Sequence, residues 1–151
     1  MLDSVWNVIH KMAVFINKKY IDDALKTPPQ KGKRLIEPFK TFTLGKNLPF
    51  KILEDSEVLD NEAEVHKEEG DLWLCLEGEA QFIYGGEMLN PRPHKSKDGG
   101  ANEKEWKAKG ISGGTEVILK QGDWLWIPAG EAHRHFCEGT ARLIIIKIPA
   151  K

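Results

Sequence analysis

The sequence predicts an all-β protein built as a single jelly-roll β-barrel with a helix before it. Most of the chain after residue 36 consists of short apolar runs separated by turns rich in glycine and proline, a pattern typical of strands in a sandwich or barrel. The 151 residues suffice for one domain with its own core. We therefore expect a helix and connector over residues 1–36 and the barrel over residues 37–151.

Near the N-terminus, apolar residues recur at helical spacing. They are Val5, Ile9, Met12 and Ile16. This period predicts an amphipathic helix that begins at a cap near Asp3 or Ser4 and ends before Pro28. Asp3 and Lys11 interrupt the apolar stretch, which argues against a signal peptide, and the stretch is too short to span a membrane.

The rest of the N-terminal half is interpreted from its periodicity. Residues 30–34 form a basic connector, and residues 39–44 and 50–54 are the first predicted strands. The acidic segment 54–62 is expected to be a solvated strand edge or loop. Residues 88–110 contain many charged residues and read as an insertion that is either a functional lid or a mobile loop. The insertion's candidates for contact with a substrate are Arg92, His94 and Trp106.

One stretch combines two carboxylates with an imidazole. Glu64 and His66 are two residues apart, so in a strand both side chains leave the same face. After a polar turn, Asp71, Trp73 and Cys75 share one face of a mostly apolar strand. A carboxylate among residues that should be buried requires a partner, and a metal ion shared with Glu64 and His66 would supply one.

A second stretch carries the remaining predicted ligand. It runs from Gly122 through Pro128 and Gly130 to His133 and Cys137. The proline and glycine predict a turn between two strands, and His135 lies on the same strand face as His133.

Together the two stretches resemble the two sequence motifs of the cupin superfamily. The spacing agrees in both, but Glu64 and His66 stand where two histidines are usual and Asp71 stands where a glutamate is usual. Cys137 replaces the usual asparagine. Within the superfamily the chain is most similar to small single-barrel "cupin 2" proteins. A lighter likeness, limited to residues 64–78 and His133, is to the YhcH/YjgK/YiaL family, associated with sugar anomer or isomer chemistry.

The resemblance implies a metal centre. Its four predicted ligands are Glu64, His66, Asp71 and His133. Two imidazoles with one or two carboxylates suit one divalent first-row ion such as Zn, Mn, Fe or Ni. Glu64 is either a ligand or a free general base beside the ion, and His135 is a second candidate for acid–base chemistry. Trp73, Cys75 and Cys137 are expected to line the substrate pocket. Lys147 either extends outward to solvent, which we favour, or projects into the cavity.

Three functions fit such a site. The first is a metal-dependent isomerase, epimerase or anomerase that acts on a sugar or related carbonyl compound. The second is an Fe(II) dioxygenase, and the third is a non-catalytic module that binds a metal or small ligand. The 22 basic and 23 acidic residues nearly balance, so we expect neither nucleic acid nor a membrane as a partner. Two cysteines without a secretory signal indicate reduced thiols and a cytoplasmic protein, and the resemblance implies a homodimer.

Overall fold

The computed structural model describes residues 12–151. Two short helices, α1 (Lys18–Leu25) and α2 (Phe39–Gly45), lie near the start. The first six strands are β1 (Gly32–Leu35), β2 (Phe50–Val58), β3 (Ala63–His66), β4 (Glu69–Glu77), β5 (Glu79–Tyr84) and β6 (Glu87–Met88). The other six are β7 (Arg92–Lys95), β8 (Ala101–Ala108), β9 (Ile111–Ser112), β10 (Thr115–Lys120), β11 (Trp124–Ile127) and β12 (His133–Pro149). Strands make up 54% and helices 11% of the structure, which confirms the all-β prediction.

The long strand β12 belongs to two sheets. Its first residues pair with β3 and β5, in a sheet ordered β10-β5-β12-β3-β8-β7. After a register irregularity between Cys137 and Thr140, β12 continues between β2 and β4 in a sheet ordered β1-β2-β12-β4-β11. This arrangement places the motif residues of β3, β4 and β12 next to one another.

The main core draws residues from both sheets. Trp73, Phe82, Ile127 and Leu143 are its largest buried members. A second cluster, formed by Ala24, Ile36, Phe39 and Ile52, joins the two helices to β2. Burial of apolar surface at these two places holds the sheets together and fixes the helices against them.

The prediction of a strand at residues 39–44 is wrong, because these residues form α2. Phe39 and Thr43 are four residues apart and both buried, which is helical spacing. The Glu37 carboxylate accepts hydrogen bonds from the Thr41 amide and hydroxyl at 3.0 and 2.9 Å. This carboxylate satisfies a backbone donor in the first turn that the helix itself leaves unpaired.

Only part of the segment predicted to form the N-terminal helix belongs to the described residues. Residues 1–11, with the predicted cap and with Val5 and Ile9, lie outside the described residues. The prediction of one helix that includes Met12 and Ile16 is wrong, because residues 12–17 are not helical. Helix α1 begins after Asn17, whose side chain accepts a hydrogen bond from the Lys19 amide at 2.9 Å. Its end at Leu25 agrees with the prediction that the helix stops before Pro28. No helix of the described chain is long and apolar enough to cross a membrane.

Two segments predicted to be irregular are strands. Residues 32–35 of the predicted connector form β1, which pairs with β2. In the acidic segment 54–62, residues 54–58 continue β2, and Glu54 and Asp55 are fully buried rather than solvated. Residues 59–62 form a mostly exposed connection, as predicted. Arg142 pairs with Glu54 and His135 with Asp55, which explains how these carboxylates tolerate the interior. The division at residue 36 stays a prediction.

The supposed insertion at residues 88–110 is also ordered as strands. β7 and β8 form an antiparallel hairpin, and β8 pairs with β3 so that Lys107 lies opposite Glu64 and Glu105 opposite His66. Arg92 forms an exposed ion pair with Glu62. The segment therefore extends the sheet beside the predicted ligands.

Candidate metal centre

Three neighbouring strands bring the four predicted ligands together. β3 carries Glu64 and His66, β4 carries Asp71 near its start, and β12 begins with His133, which lies opposite Glu64 in the sheet. The turn that contains Pro128 and Gly130 comes immediately before β12. The Gly130 amide donates a hydrogen bond to the His66 carbonyl at 2.8 Å. This contact ties the second motif's turn to the end of β3.

The donor atoms of these residues converge. His133 Nε2 lies 3.3 Å from Asp71 Oδ2 and 3.5 Å from Glu64 Oε1. His66 Nε2 lies 3.5 Å from Asp71 Oδ2 and 3.7 Å from Glu64 Oε1. In a tetrahedral site with metal–ligand distances near 2.0–2.2 Å, neighbouring ligand atoms are about 3.3–3.6 Å apart. Each histidine therefore lies at a distance from both carboxylates that suits a small divalent ion. Glu64, His66 and His133 form a group whose ligand atoms all lie within 4.8 Å of one another, and this group does not include Asp71.

Two of the converging atoms are buried without a hydrogen bond. Asp71 Oδ2 and His133 Nε2 have no hydrogen-bond partner of good geometry within residues 12–151. Buried polar atoms of native proteins are normally satisfied. These two atoms lie 3.3 Å apart, close enough for an ion pair when His133 is protonated, and a metal ion bound to both would satisfy them when His133 is neutral. A carboxylate oxygen and an imidazole nitrogen are donors that Zn and related ions accept. The residues present therefore fit a metal ion.

Two lysines hold the outer oxygens of the carboxylates. Lys107 Nζ donates to Glu64 Oε2 at 2.6 Å, and Lys147 Nζ donates to Asp71 Oδ1 at 2.7 Å. Each lysine thus orients a carboxylate so that the other oxygen faces the centre. Hydrogen bonds to residues outside the coordination sphere commonly orient metal ligands in this way. Lys147 also lies 3.3 Å from His66 Nε2. The prediction that Lys147 extends outward to solvent is wrong, because its ammonium group pairs with a fully buried carboxylate.

The electrostatics of the centre favour positive charge. Burial would lower the pKa of His133, but the carboxylates of Asp71 and Glu64 outweigh it and raise the pKa to about 9. Burial would raise the pKa of Glu64, yet the two histidines and the nearby lysines hold it well below its usual value. Two ionised carboxylates that stabilise an imidazolium would stabilise a divalent cation in the same place.

A cavity of about 330 Å³ opens beside the centre. Glu64 and His66 line it together with Lys107 and Lys147, while Trp73 contributes to its wall. A larger groove of about 650 Å³, lined in part by Val65 and Trp106, contains none of the four ligands. Val65 alternates with Glu64 and His66 along β3, so this groove lies on the other face of the strand. Convergent donor atoms, rather than size, identify the smaller cavity as the site.

The other predicted site residues lie deeper. His135 is fully buried, with Nδ1 2.5 Å from Asp55 Oδ2 and its ring against Trp73 and Phe82. It does not line the 330 Å³ cavity, and its proposed part in proton transfer stays a prediction. Cys75 and Cys137 are buried free thiols that belong to the main core. Burial raises the pKa of both thiols, that of Cys137 to about 11, so both stay protonated at neutral pH.

Sequence reasoning missed the charged residues around the cavity. Lys33, Glu69, Glu105 and Lys107 line it and lie on three different strands. Only the β8 pair carried a signal, because Glu105 and Lys107 are two residues apart and so share a strand face. Their segment was interpreted as a loop, which concealed this alternation.

No protein-family model matches this chain, and no curated protein matches it. Several solved structures resemble it. The Drosophila melanogaster CENP-C bound to CAL1 is 12% identical with a TM-score of 0.45, over 66% of this chain and 64% of that one. An oxalate oxidase in complex with the substrate analogue glycolate is 16% identical with a TM-score of 0.45, over 66% and 41%. The hydroxypropylphosphonic acid epoxidase from S. wedmorenis is 14% identical with a TM-score of 0.44, over 66% and 42%.

These neighbours are cupin-fold proteins. This chain spans less than two thirds of the length of each of the three. Because the identities are low and the TM-scores are below 0.5, the neighbours carry no argument about activity. The likeness to the YhcH/YjgK/YiaL family stays a prediction.

Proposed function

We propose that this chain binds one divalent first-row transition ion through Glu64, His66, Asp71 and His133, and that it acts on a small molecule in the adjacent cavity. The observation that carries the proposal is the pair of buried atoms, Asp71 Oδ2 and His133 Nε2, which converge without a hydrogen-bond partner among the described residues. The supporting lysines and the donor separations of 3.3–3.7 Å favour the same conclusion.

The reaction that suits this site best is isomerisation, epimerisation or anomer exchange of a small carbonyl compound. A bound ion would polarise a carbonyl or hydroxyl oxygen of the substrate. The protein must then move a proton at a neighbouring atom. Of the two predicted proton-transfer residues, Glu64 lines the cavity and His135 does not. We therefore assign the proton transfer to Glu64 in its alternative role as a free base beside the ion, which leaves His66, Asp71 and His133 as the ligands. Lys107 orients the Glu64 carboxylate.

The reaction is tested by proton exchange. The metal-loaded protein is incubated in D₂O with small aldoses, ketoses and hydroxyketones, and ¹H NMR follows exchange at the carbon beside the carbonyl group. Glu64→Gln keeps the size of the side chain but removes its basicity, so exchange should fall at least about 100-fold. Glu62→Gln, at an exposed glutamate of the same segment, is the matched control and should retain full exchange. Absence of exchange or anomer conversion with every ion tested would contradict the assignment.

A second candidate is an Fe(II) dioxygenase. Glu64, His66 and His133 offer one carboxylate and two imidazoles whose ligand atoms all lie within 4.8 Å of one another. Two histidines and one carboxylate are the ligand set of non-haem Fe(II) oxygenases. Oxygen uptake by the Fe(II)-loaded protein, without uptake by the Zn-loaded protein, would favour this activity. Ligand binding without turnover under either condition would leave the non-catalytic binding module.

A further inference from the structure

The 330 Å³ cavity has an apolar floor and a charged rim. Leu53, Trp73 and Ile145 supply apolar surface, and charged side chains of several strands surround it. Ligand pockets in proteins are commonly about 300–1,000 Å³, so this one suits a small molecule. The apolar floor would contact carbon atoms of such a ligand, while its polar groups would meet the rim.

The charge of the rim depends on the ion. The ionisable groups comprise four carboxylates and three lysines, namely Glu64, Glu69, Asp71, Glu105, Lys33, Lys107 and Lys147. Together they carry a net charge of about −1, which a divalent ion changes to about +1 when the histidines are neutral. A cavity with a net positive charge favours an anionic ligand.

Lys33 differs from the other two lysines. Lys107 contacts Glu64 and Glu105 at 2.6 and 3.3 Å, and Lys147 contacts Asp71 at 2.7 Å. Lys33 lies on β1, is exposed and lines the cavity. Its charge acts on Glu64, but no carboxylate of the described residues lies close enough to its ammonium group to form an ion pair. Its ammonium group can therefore bind an incoming anion without breaking an existing ion pair.

We propose that the cavity binds small hydroxy- or keto-carboxylates, and that Lys33 selects them by contacting the carboxylate. This inference rests on the proposed metal site, because the hydroxyl or carbonyl oxygen of the ligand would face the ion. Lys107 and Lys147 are already engaged with the metal-binding carboxylates, so they position ligands of the ion rather than the substrate. Lys33 is thus a specificity-determining residue that contacts the carboxylate of the ligand.

Three small probes of similar size separate the contributions of the carboxylate and of the hydroxyl group to binding. L-Lactate has a carboxylate and a hydroxyl group, propanoate has only the carboxylate, and propane-1,2-diol has hydroxyl groups but no charge. Binding to the Co(II)-loaded protein is followed through the visible spectrum of the ion. We expect L-lactate to bind at least about tenfold more tightly than either of the other probes.

Lys33→Gln is the decisive variant, and Lys31→Gln is its control because Lys31 is an exposed lysine two residues away that does not line the cavity. An exposed charge contact is typically a modest interaction, so Lys33→Gln should weaken L-lactate binding about fivefold. It should leave propane-1,2-diol binding unchanged and change Co(II) affinity less than L-lactate affinity, because the charge of Lys33 also acts on Glu64. Lys31→Gln should change none of the three. The inference would be overturned if Lys33→Gln kept the wild-type affinity for L-lactate, or if the wild type bound the diol as tightly as L-lactate. In either case, Co(II) binding by the wild type would still support the metal site. Failure of Co(II) to bind would overturn both.

Discussion

Replacement of Arg142 by methionine should destabilise the protein by about 3 kcal/mol. The Arg142 side chain is 4% exposed and its Nε donates to Glu54 Oε2 at 2.8 Å. Its other nitrogens donate to the carbonyl of Leu25, at 2.5 Å, and to that of Thr27. Removal of one partner of a buried ion pair typically costs about 3–5 kcal/mol. We take the lower end because Arg34 still donates to Glu54 Oε1 at 2.7 Å.

The assay is urea unfolding, in parallel with thermal unfolding. For a chain of this size, 3 kcal/mol corresponds to a fall in Tm of about 6–12 °C. The double variant Arg142→Met, Glu54→Leu removes both charges, so it should be more stable than the sum of the single effects predicts. Arg34→Met, at an arginine whose side chain is 27% exposed, should cost less than Arg142→Met. A loss below about 1 kcal/mol in Arg142→Met, or strict additivity in the double variant, would refute the reasoning.

Three further predictions concern backbone, pH and metal. Gly78→Ala should cost at least about 3 kcal/mol by urea unfolding, because φ is +69° and the new Cβ would lie 2.1 Å from the Thr140 carbonyl oxygen. Gly122→Ala, with φ of +90° and no atom within 4 Å, should cost only about 1–2 kcal/mol, and equal losses would contradict this. Burial would raise the pKa of Glu54, but its arginine and amide contacts lower it. The ionised Glu54 carboxylate therefore stabilises the folded state fully above pH about 4.5, and this contribution is lost as the pH falls through the lowered pKa. In Glu54→Gln, the free energy of unfolding should decline less steeply with falling pH. Zinc at 100 times its Kd should stabilise the folded state by about 2.7 kcal/mol and raise Tm by about 5–11 °C, an increase that EDTA should reverse.

The fold class and the four candidate ligands could be predicted because their signals are local. Glu64 and His66 share a strand face by spacing alone, and Pro128 and Gly130 mark the turn before His133. The position of Asp71 in an apolar run predicts a buried carboxylate that requires a partner. In the structure Asp71 is 1% exposed. In each case a few neighbouring residues carried the information.

The wrong predictions depended on distant partners. Glu54 looked like part of a solvated acidic segment because Arg142, which pairs with it, is 88 residues away. The prediction for Lys147 favoured the surface because no neighbouring residue in the sequence indicates an ion pair with Asp71, which is 76 residues away. The short apolar segment at residues 39–44 satisfied a strand pattern, and only burial of Phe39 by a tertiary contact selected the helix.

Metal stoichiometry tests the central claim most directly. The protein is purified without chelator or added metal, and elemental analysis is run beside His133→Ala and a control, His94→Ala, which changes a histidine of β7 outside the four ligands. We predict about one transition ion per chain in the wild type and in His94→Ala, with most of it lost in His133→Ala. No ion in the wild type, even after exposure to Zn, Mn, Ni and Fe(II), or equal content in His133→Ala, would contradict the metal centre.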